Sequence, residues 1–443
     1  MDNSANLRGL IVGVNTPIPL AKGDYVTAIN FDNAATTPPF TAVLQAINNF
    51  SPWYSSIHRG TGYKSRYSSE FFDKSREIIA DFVKADYNTN TVIYVKNTTE
   101  AINKLSNRLF NKFGRKNVVL CSEMEHHSND LPWRDNYKVD YVDVDYTGRL
   151  SMKHLEYCLR RHEGKVKLVA VTGASNVTGY INPIHEIAEL AHKYKARILV
   201  DAAQLAPHAE IDMKPDASPQ HIDYLVFSSH KMYAPFGTGV LIGPKEVFDR
   251  GDPDYKGGGT IKLVTHSFVR WAPAPDRDEA GTPNVMGVVA LVEAIKTLNN
   301  IGICNIEKNE KLLTDYTLAR LKRIPDIKLY GNIEDSSDRV GIISFNIEGL
   351  HHRIVATILS YEYGIAVRSG CFCAQPYVQK ILNVSKKEIK RRIKFDDLPH
   401  PGMVRISFGL YNTQEEVDVL IKALLHISGN KTYYLDKYKF AEV

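Results

Sequence analysis

The sequence predicts an α/β protein, with a large domain built on a mostly parallel mixed sheet and a smaller α+β domain. Three observations predict it. Short apolar runs alternate with helical patterns from about residue 30 to 300. Those runs are continuously apolar rather than alternating, as strands buried on both faces are. Beyond residue 300 the character shifts to isolated strand-like runs among helices. The boundaries read as 30–300 for the large domain, with 1–29 and 301–443 forming the small one.

The elements follow in order. "TVIYV" (91–95) is a strand running into the helical stretch "TEAINKLSNRL". "NVVLCSE" (117–123), "VKLVAVTG" (166–173), "ARILVDA" (196–202) and "DYLVFSS" (223–229) supply four more strands, and "GTGVLIGP" (237–244) another. A long helix begins at Val285, after "EAGTPN". In the C-terminal part "DIKLYG", "VGIISFNIEG", "GIAVRSG" and "MVRISFG" read as strands, and the first thirty residues are expected to pack onto them.

Composition narrows the function classes. The chain has 443 residues, 55 Lys and Arg against 50 Asp and Glu, and 44% hydrophobic residues, the balance of a soluble globular protein. The mild net charge of +5, with both signs interleaved, argues against nucleic acid as a partner. One basic run, Lys386 to Lys394, follows Ser385 and contains Glu388, the start of a capped, solvated helix. No apolar stretch is long enough to span a bilayer, and the N-terminus lacks a basic lead and long apolar core, so no membrane partner or export is expected. Five cysteines (Cys121, Cys158, Cys304, Cys371, Cys373) without a CxxC pair suggest neither a zinc ribbon nor a disulfide framework. A cytoplasmic location and no metal are the expectations.

In open α/β sheets ligands bind beyond the carboxyl ends of the strands. The first end gives Thr98 and Thr99 at a helix start, a natural anion cradle. The second gives His126 and His127. The third gives Asn176, the fourth Asp201 and Gln204. The fifth, in "LVFSSHKMY", gives Ser228, His230 and Lys231. A buried aspartate requires a cation or several donors, and a lysine at a strand exit is either a solvated end or a reactive amine. One ligand asks for nearly all of these groups. Pyridoxal 5′-phosphate needs hydroxyls and a helix N-terminus for its phosphate, a carboxylate for its ring nitrogen, amide donors for its phenolic oxygen, and a lysine for its aldehyde.

The motifs "FDNAATTP" (31–38), "HRG", "NTTEAIN", "EMEHHSNDLPW", "SNVTGYINP", "VDAAQ", "FSSHKMYAPFGTGVL", "EAGTPN" and "GIAVRSGCFCA" resemble the class V aminotransferases, and within them the cysteine desulfurase and selenocysteine lyase branch. The resemblance implies a fold-type I, pyridoxal-phosphate-dependent transferase and a homodimer with sites at the subunit interface. It implies that Lys231 carries the Schiff base, that His126 stacks on the ring and relays protons, and that Asp201 pairs the ring nitrogen. Gln204 and Asn176 would contact the phenolic oxygen or ring, with Thr98, Thr99, Ser228 and His230 at the phosphate. Thr282 would reach the phosphate of the other protomer. Arg405 would clamp the substrate carboxylate, with Asn33 and Arg368 on the substrate side. Cys373 would take sulfur from L-cysteine as a persulfide, leaving L-alanine, and pass it to a sulfur-acceptor protein. The alternative is a relative that does not need Cys373: a selenocysteine lyase, C–S β-lyase, epimerase or aminotransferase. Cys373 and Arg405 stand 32 residues apart, which implies an insertion against the nearest branch. Cys371 reads as a small packed hydrophobe, a metal ligand with Cys373, or a second sulfur handler.

Overall fold

The computed structural model describes residues 7–112, 114–395 and 398–438. Its centre is a seven-stranded sheet. We number the strands β1 (Asn90–Val95), β2 (Val118–Ser122), β3 (Lys138–Val142), β4 (Val166–Thr172), β5 (Arg197–Asp201), β6 (Tyr224–Ser228) and β7 (Gly239–Pro244). Their order is β1-β7-β6-β5-β4-β2-β3. Five neighbouring strands, from β6 to β3, run parallel, and β7 is antiparallel to both β1 and β6. This is the mostly parallel mixed sheet that the sequence predicts.

The continuous apolar runs are the reason. β1, β2, β6 and most of β4 and β7 are buried along their length, so both faces need cover. One face packs under Ala101, Ile102, Leu105 and Trp133. The other packs under Ile79, Ile187, Ala191, Val289 and Ile295. β3 had no counterpart among the predicted strands. It is the sheet edge, only its last residue is buried, and "KVDYV" carries no continuous apolar run.

A second sheet holds β8 (Ile327–Leu329), β9 (Ile342–Ile347), β10 (Arg368–Gly370) and β11 (Met403–Ser407), in the antiparallel order β8-β9-β11-β10. It has its own core, including Phe345, Ile358, Ile406, Leu420 and Leu424. The N-terminal segment touches both bodies. Ile29 and Asn30 pair in parallel with Ile365 and Ala366, and Arg8 bonds Glu416 at 2.6 Å. Ile11, in contrast, bridges to Phe40 and joins the larger core.

The basic run folds as the helix Lys386–Lys394, whose Ser385 hydroxyl accepts from the Glu388 N–H. Glu388 in turn pairs Arg392 at 2.8 Å. Among the described residues no single helix is long and apolar enough to cross a membrane.

Candidate active site

The carboxyl ends of β1, β2, β4, β5 and β6 open onto one crevice. Its floor carries Thr98, Thr99, His126, Asn176, Asp201, Gln204, Ser228, His230 and Lys231, and its far wall carries Arg368, Phe372, Cys373 and Arg405. Residues spread over more than three hundred positions are thus brought together.

At one end lies the start of the helix Thr98–Leu109. Asn97 caps it, accepting from the Glu100 N–H at 3.0 Å. Gly239 of β7 makes this approach possible, because a Cβ there would stand 2.7 Å from the Asn97 Cα. Thr98 N–H donates to Ser228 Oγ at 2.8 Å, and the two hydroxyls bond each other at 2.8 Å. Thr99 Oγ1 meets Ser128 Oγ at 2.7 Å. The hydroxyls of Thr98, Thr99, Ser128 and Ser228 therefore gather at the start of a helix, the setting of an anion cradle.

His126 lines the crevice with a settled tautomer. The Ser128 N–H donates to its Nδ1 at 3.1 Å, so that nitrogen is an acceptor and Nε2 carries the hydrogen. Burial, with Lys231 nearby, lowers its pKa to about 3, so the ring stays neutral. Burial also lowers His230, to about 4. The backbone oxygen of His230 accepts from the Thr37 N–H and from Thr36 Oγ1, each at 3.0 Å, which fixes the chain just before Lys231.

Asp201 is buried and accepts the Ala203 N–H at 3.0 Å. Burial raises its pKa, opposed by that N–H and by Lys231. For Lys231 burial lowers the pKa to about 8, with Asp201 opposing and Arg405 adding to the shift. A lysine near 8 is an available nucleophile at neutral pH, as a solvated strand end is not. Gln204 donates from Nε2 to the Ala34 carbonyl at 2.7 Å, and its Oε1 is buried without a partner among the described residues.

The far wall comes from the second sheet. Arg405, on β11, donates to the Asn176 carbonyl at 2.8 Å and to Asp32 Oδ1 at 3.0 Å, while its Nε has no partner among the described residues. Burial lowers it to about 10, with Asp32 opposing. Its guanidinium lies 4.9 Å from the Phe372 ring centroid. Arg368 is half-exposed, 3.6 Å from Asp32. Asp32 thus sits between both arginines, a contact that sequence reasoning missed. Its place inside the quoted "FDNAATTP" was the available signal.

Cys373 is exposed on a turn after β10, where Phe372 and Cys373 both have positive φ, 53° and 55°. Bulky residues rarely adopt that conformation, so the turn is held from outside. Asn176 Nδ2 donates to the Phe372 carbonyl at 2.6 Å, and the His127 N–H donates to the Cys373 carbonyl at 2.6 Å. The Asn176 amide therefore docks this turn as well as lining the crevice. Cys371 is partly buried against a hydrophobic cluster that includes Met124, Val177 and Tyr377, the setting of a small packed hydrophobe.

Two sequence-predicted residues lie elsewhere. Asn33 is buried and its amide is engaged: Nδ2 donates to the Ser407 carbonyl and Asn412 Oδ1 at 3.1 and 3.2 Å, and Oδ1 accepts from Tyr411 at 2.7 Å. It fastens the Phe31–Ala35 segment to β11. Thr282 lines a separate cavity with His58, Arg59 and Lys262.

A family profile described as Aminotransferase class-V matches residues 29–420. The chain is 34% identical over 409 residues to a cysteine desulfurase of Haloferax volcanii, covering 90% of this chain and 89% of that one. It is 36% identical over 407 residues to a probable cysteine desulfurase of Halalkalibacterium halodurans, covering 89% and 92%. Its fold matches an apo cysteine desulfurase from Thermococcus onnurineus with a TM-score of 0.80 at 32% identity, covering 91% and 95% of the two chains. The Escherichia coli cysteine desulfurase CsdA (S-sulfonic acid) follows at 0.78 and 26% identity, covering 96% and 98%. Matched in sequence and fold across nearly its whole length, this chain belongs to the class-V aminotransferase family.

Proposed function

We propose that this chain is a pyridoxal-phosphate-dependent cysteine desulfurase, which takes sulfur from L-cysteine onto Cys373 and releases L-alanine. The observation that carries the reading is that Asp201 and Lys231, at and just past strand ends of one sheet, share a crevice with Arg405 of the other sheet and Cys373 on the turn after β10.

The donor set fits the cofactor. Clustered hydroxyls at a helix N-terminus suit a phosphate, a buried carboxylate suits a protonated ring nitrogen, and a lysine of lowered pKa suits an aldehyde. The orphaned Gln204 Oε1 marks a polar position built for a further neighbour. Thr98, Thr99, Ser228 and His230 would hold the phosphate, Asp201 the ring nitrogen, and Gln204 and Asn176 the phenolic side. Bound there, the cofactor supplies an electron sink for the substrate's α-carbon.

The chain's own groups do the rest. Arg405 orients the substrate carboxylate, its free Nε available as a donor and Asp32 holding the other edge. Lys231, as a neutral amine, accepts the α-proton. His126, neutral and with Nε2–H facing outward from its Ser128 bond, stacks and passes a proton. The Cys373 thiolate forms a bond to the substrate's sulfur as the carbon–sulfur bond breaks, so cysteine and one thiol become alanine and one persulfide. Exposure of Cys373 leaves the persulfide open to a sulfur acceptor. The working form is a homodimer in a reducing cytoplasm, with Thr282 contributed to the partner's phosphate site.

The test measures alanine and sulfide from L-cysteine with a reductant present. Wild type is expected to give both in equal amounts, and Cys373→Ala neither. Full activity in a folded Cys373→Ala chain would instead establish chemistry that does not need this thiol.

A further inference from the structure

At the opposite end of the central sheet, where β5 and β6 begin, two histidines and an aspartate meet. His192 lies in the last turn of the helix Ile184–Lys193, and His221 and Asp223 lie on the segment entering β6. Their ligand atoms all fall within 4.8 Å of one another. His192 Nε2 is 2.9 Å from Asp223 Oδ2, and His221 Nε2 is 3.7 Å from Oδ1.

The far ring nitrogens decide what this cluster is. His192 Nδ1 lies 2.7 Å from the Pro219 carbonyl oxygen, and His221 Nδ1 lies 2.6 Å from that of Ser218. A carbonyl oxygen only accepts, so each Nδ1 carries the hydrogen. In a neutral imidazole the lone pair is then on Nε2. Both lone pairs face a carboxylate that is itself an acceptor. The two rings stack, 4.1 Å between centroids and 17° apart in plane, with both Nε2 atoms beside the same carboxylate. Arg197, 3.6 Å from Asp223 Oδ1, already adds positive charge. One divalent cation satisfies all three acceptors at once.

We propose that His192, His221 and Asp223 form a binding site for a divalent transition metal, zinc by preference, with water completing the shell. Zinc–nitrogen and zinc–oxygen bonds near 2.0–2.2 Å put tetrahedral ligand atoms roughly 3.3 Å apart. The three ligand atoms lie within 4.8 Å of one another, with each histidine nitrogen nearest a different oxygen of Asp223, so small side-chain rotations bring them to that spacing. Imidazole donors select zinc over magnesium or calcium. The carbonyl partners on each Nδ1 are the outer contacts that metal-bound histidines use to fix their tautomer. The two histidines are only partly buried, so ion and water have access. Asp223 Oδ2 also accepts the Ile198 N–H of β5 at 2.9 Å. The ion would therefore clip the helix end to the starts of β5 and β6, the strands that end in Asp201 and Ser228. His192 and His221 are 29 residues apart, which is why no short motif announced the site.

The experiment is zinc titration calorimetry on the cofactor-loaded chain carrying Cys304→Ser, Cys371→Ser and Cys373→Ser, so that the accessible thiolates do not compete. One zinc per chain and a zinc-dependent rise in Tm are expected. Adding His192→Ala or His221→Ala should weaken binding at least about tenfold and abolish the rise. Cobalt substitution should give a four- or five-coordinate visible spectrum in the chain that keeps both histidines. No zinc uptake, uptake indifferent to both replacements, or an octahedral cobalt spectrum would each overturn the site. So would imidazole nitrogen resonances showing His192 protonated on both nitrogens with zinc present.

Discussion

The two walls of the crevice are built differently. The sheet wall carries its groups on strand ends and a helix start: Asp201 and Ser228 are buried, and the Thr98–Ser228 and Ala203–Asp201 bonds hold them in place. The opposite wall presents Cys373, exposed on a turn whose two positive-φ residues are held by Asn176 and His127 from across the crevice. Rigid elements place groups that must stay put. On the proposed reading, a tethered turn places a thiol that meets both the substrate and a sulfur acceptor. If the two walls divide the work in this way, they can be separated by mutation.

The largest effect is expected on the sheet wall. Lys231→Ala should lose turnover by at least about 10²–10⁴-fold, the range for a positioned acid–base group. Borohydride reduction and peptide mapping should place a pyridoxyl label on Lys231 in wild type and on no lysine in the variant. A label on another lysine would break the assignment of this wall.

Cys373→Ser comes next, and it sharpens the division. Desulfuration should fall to background because a hydroxyl is a far weaker nucleophile than a thiolate. The yield of pyridoxyl label on Lys231 should be unchanged. Cys371→Ser should still carry one added sulfur on Cys373 by mass spectrometry. If Cys373→Ser also loses the cofactor, the turn is structural to the sheet wall and the division fails.

The two walls also differed in how readily the sequence disclosed them. The sheet wall was legible because burial on both faces leaves an unbroken apolar run, and a run ending in a polar cluster locates its own strand end. β3 escaped because an edge strand needs no such run. On the other wall, Arg405 and Cys373 were named by resemblance, since nothing in "MVRISFG" or "RSGCFC" marks one crevice. Asp32 between Arg368 and Arg405 is a contact across 373 positions, and Asn33 beside it turned inward to its own chain. Periodicity reports which face is buried, not which residue of a loop turns toward a ligand.

Arg405 joins the walls, through the Asn176 carbonyl and Asp32. Arg405→Lys keeps a charge but loses the planar fork of donors. It should raise KM for cysteine by about tenfold to a hundredfold, the worth of a hydrogen bond to a charged group. The pyridoxyl label on Lys231 should persist. An unchanged KM would place the substrate carboxylate elsewhere.

The smallest effect is a shift in a pH profile. Lys231 must be neutral to capture the cofactor's aldehyde, and burial sets its pKa at about 8. Capture by the cofactor-free chain should therefore speed up as pH rises toward about 8 and level off above it. The charges on the two walls act in opposite senses. Asp201 stabilises the ammonium, so Asp201→Asn should move the midpoint down; Arg405 destabilises it, so Arg405→Ala should move the midpoint up. Stopped-flow absorbance at fixed ionic strength reads both shifts. The Asp201→Asn chain should thus capture the cofactor at a lower pH yet retain it less well and turn over poorly, because the ring nitrogen has lost its carboxylate. Midpoints that move together, or not at all, would mean that the two walls do not meet at Lys231.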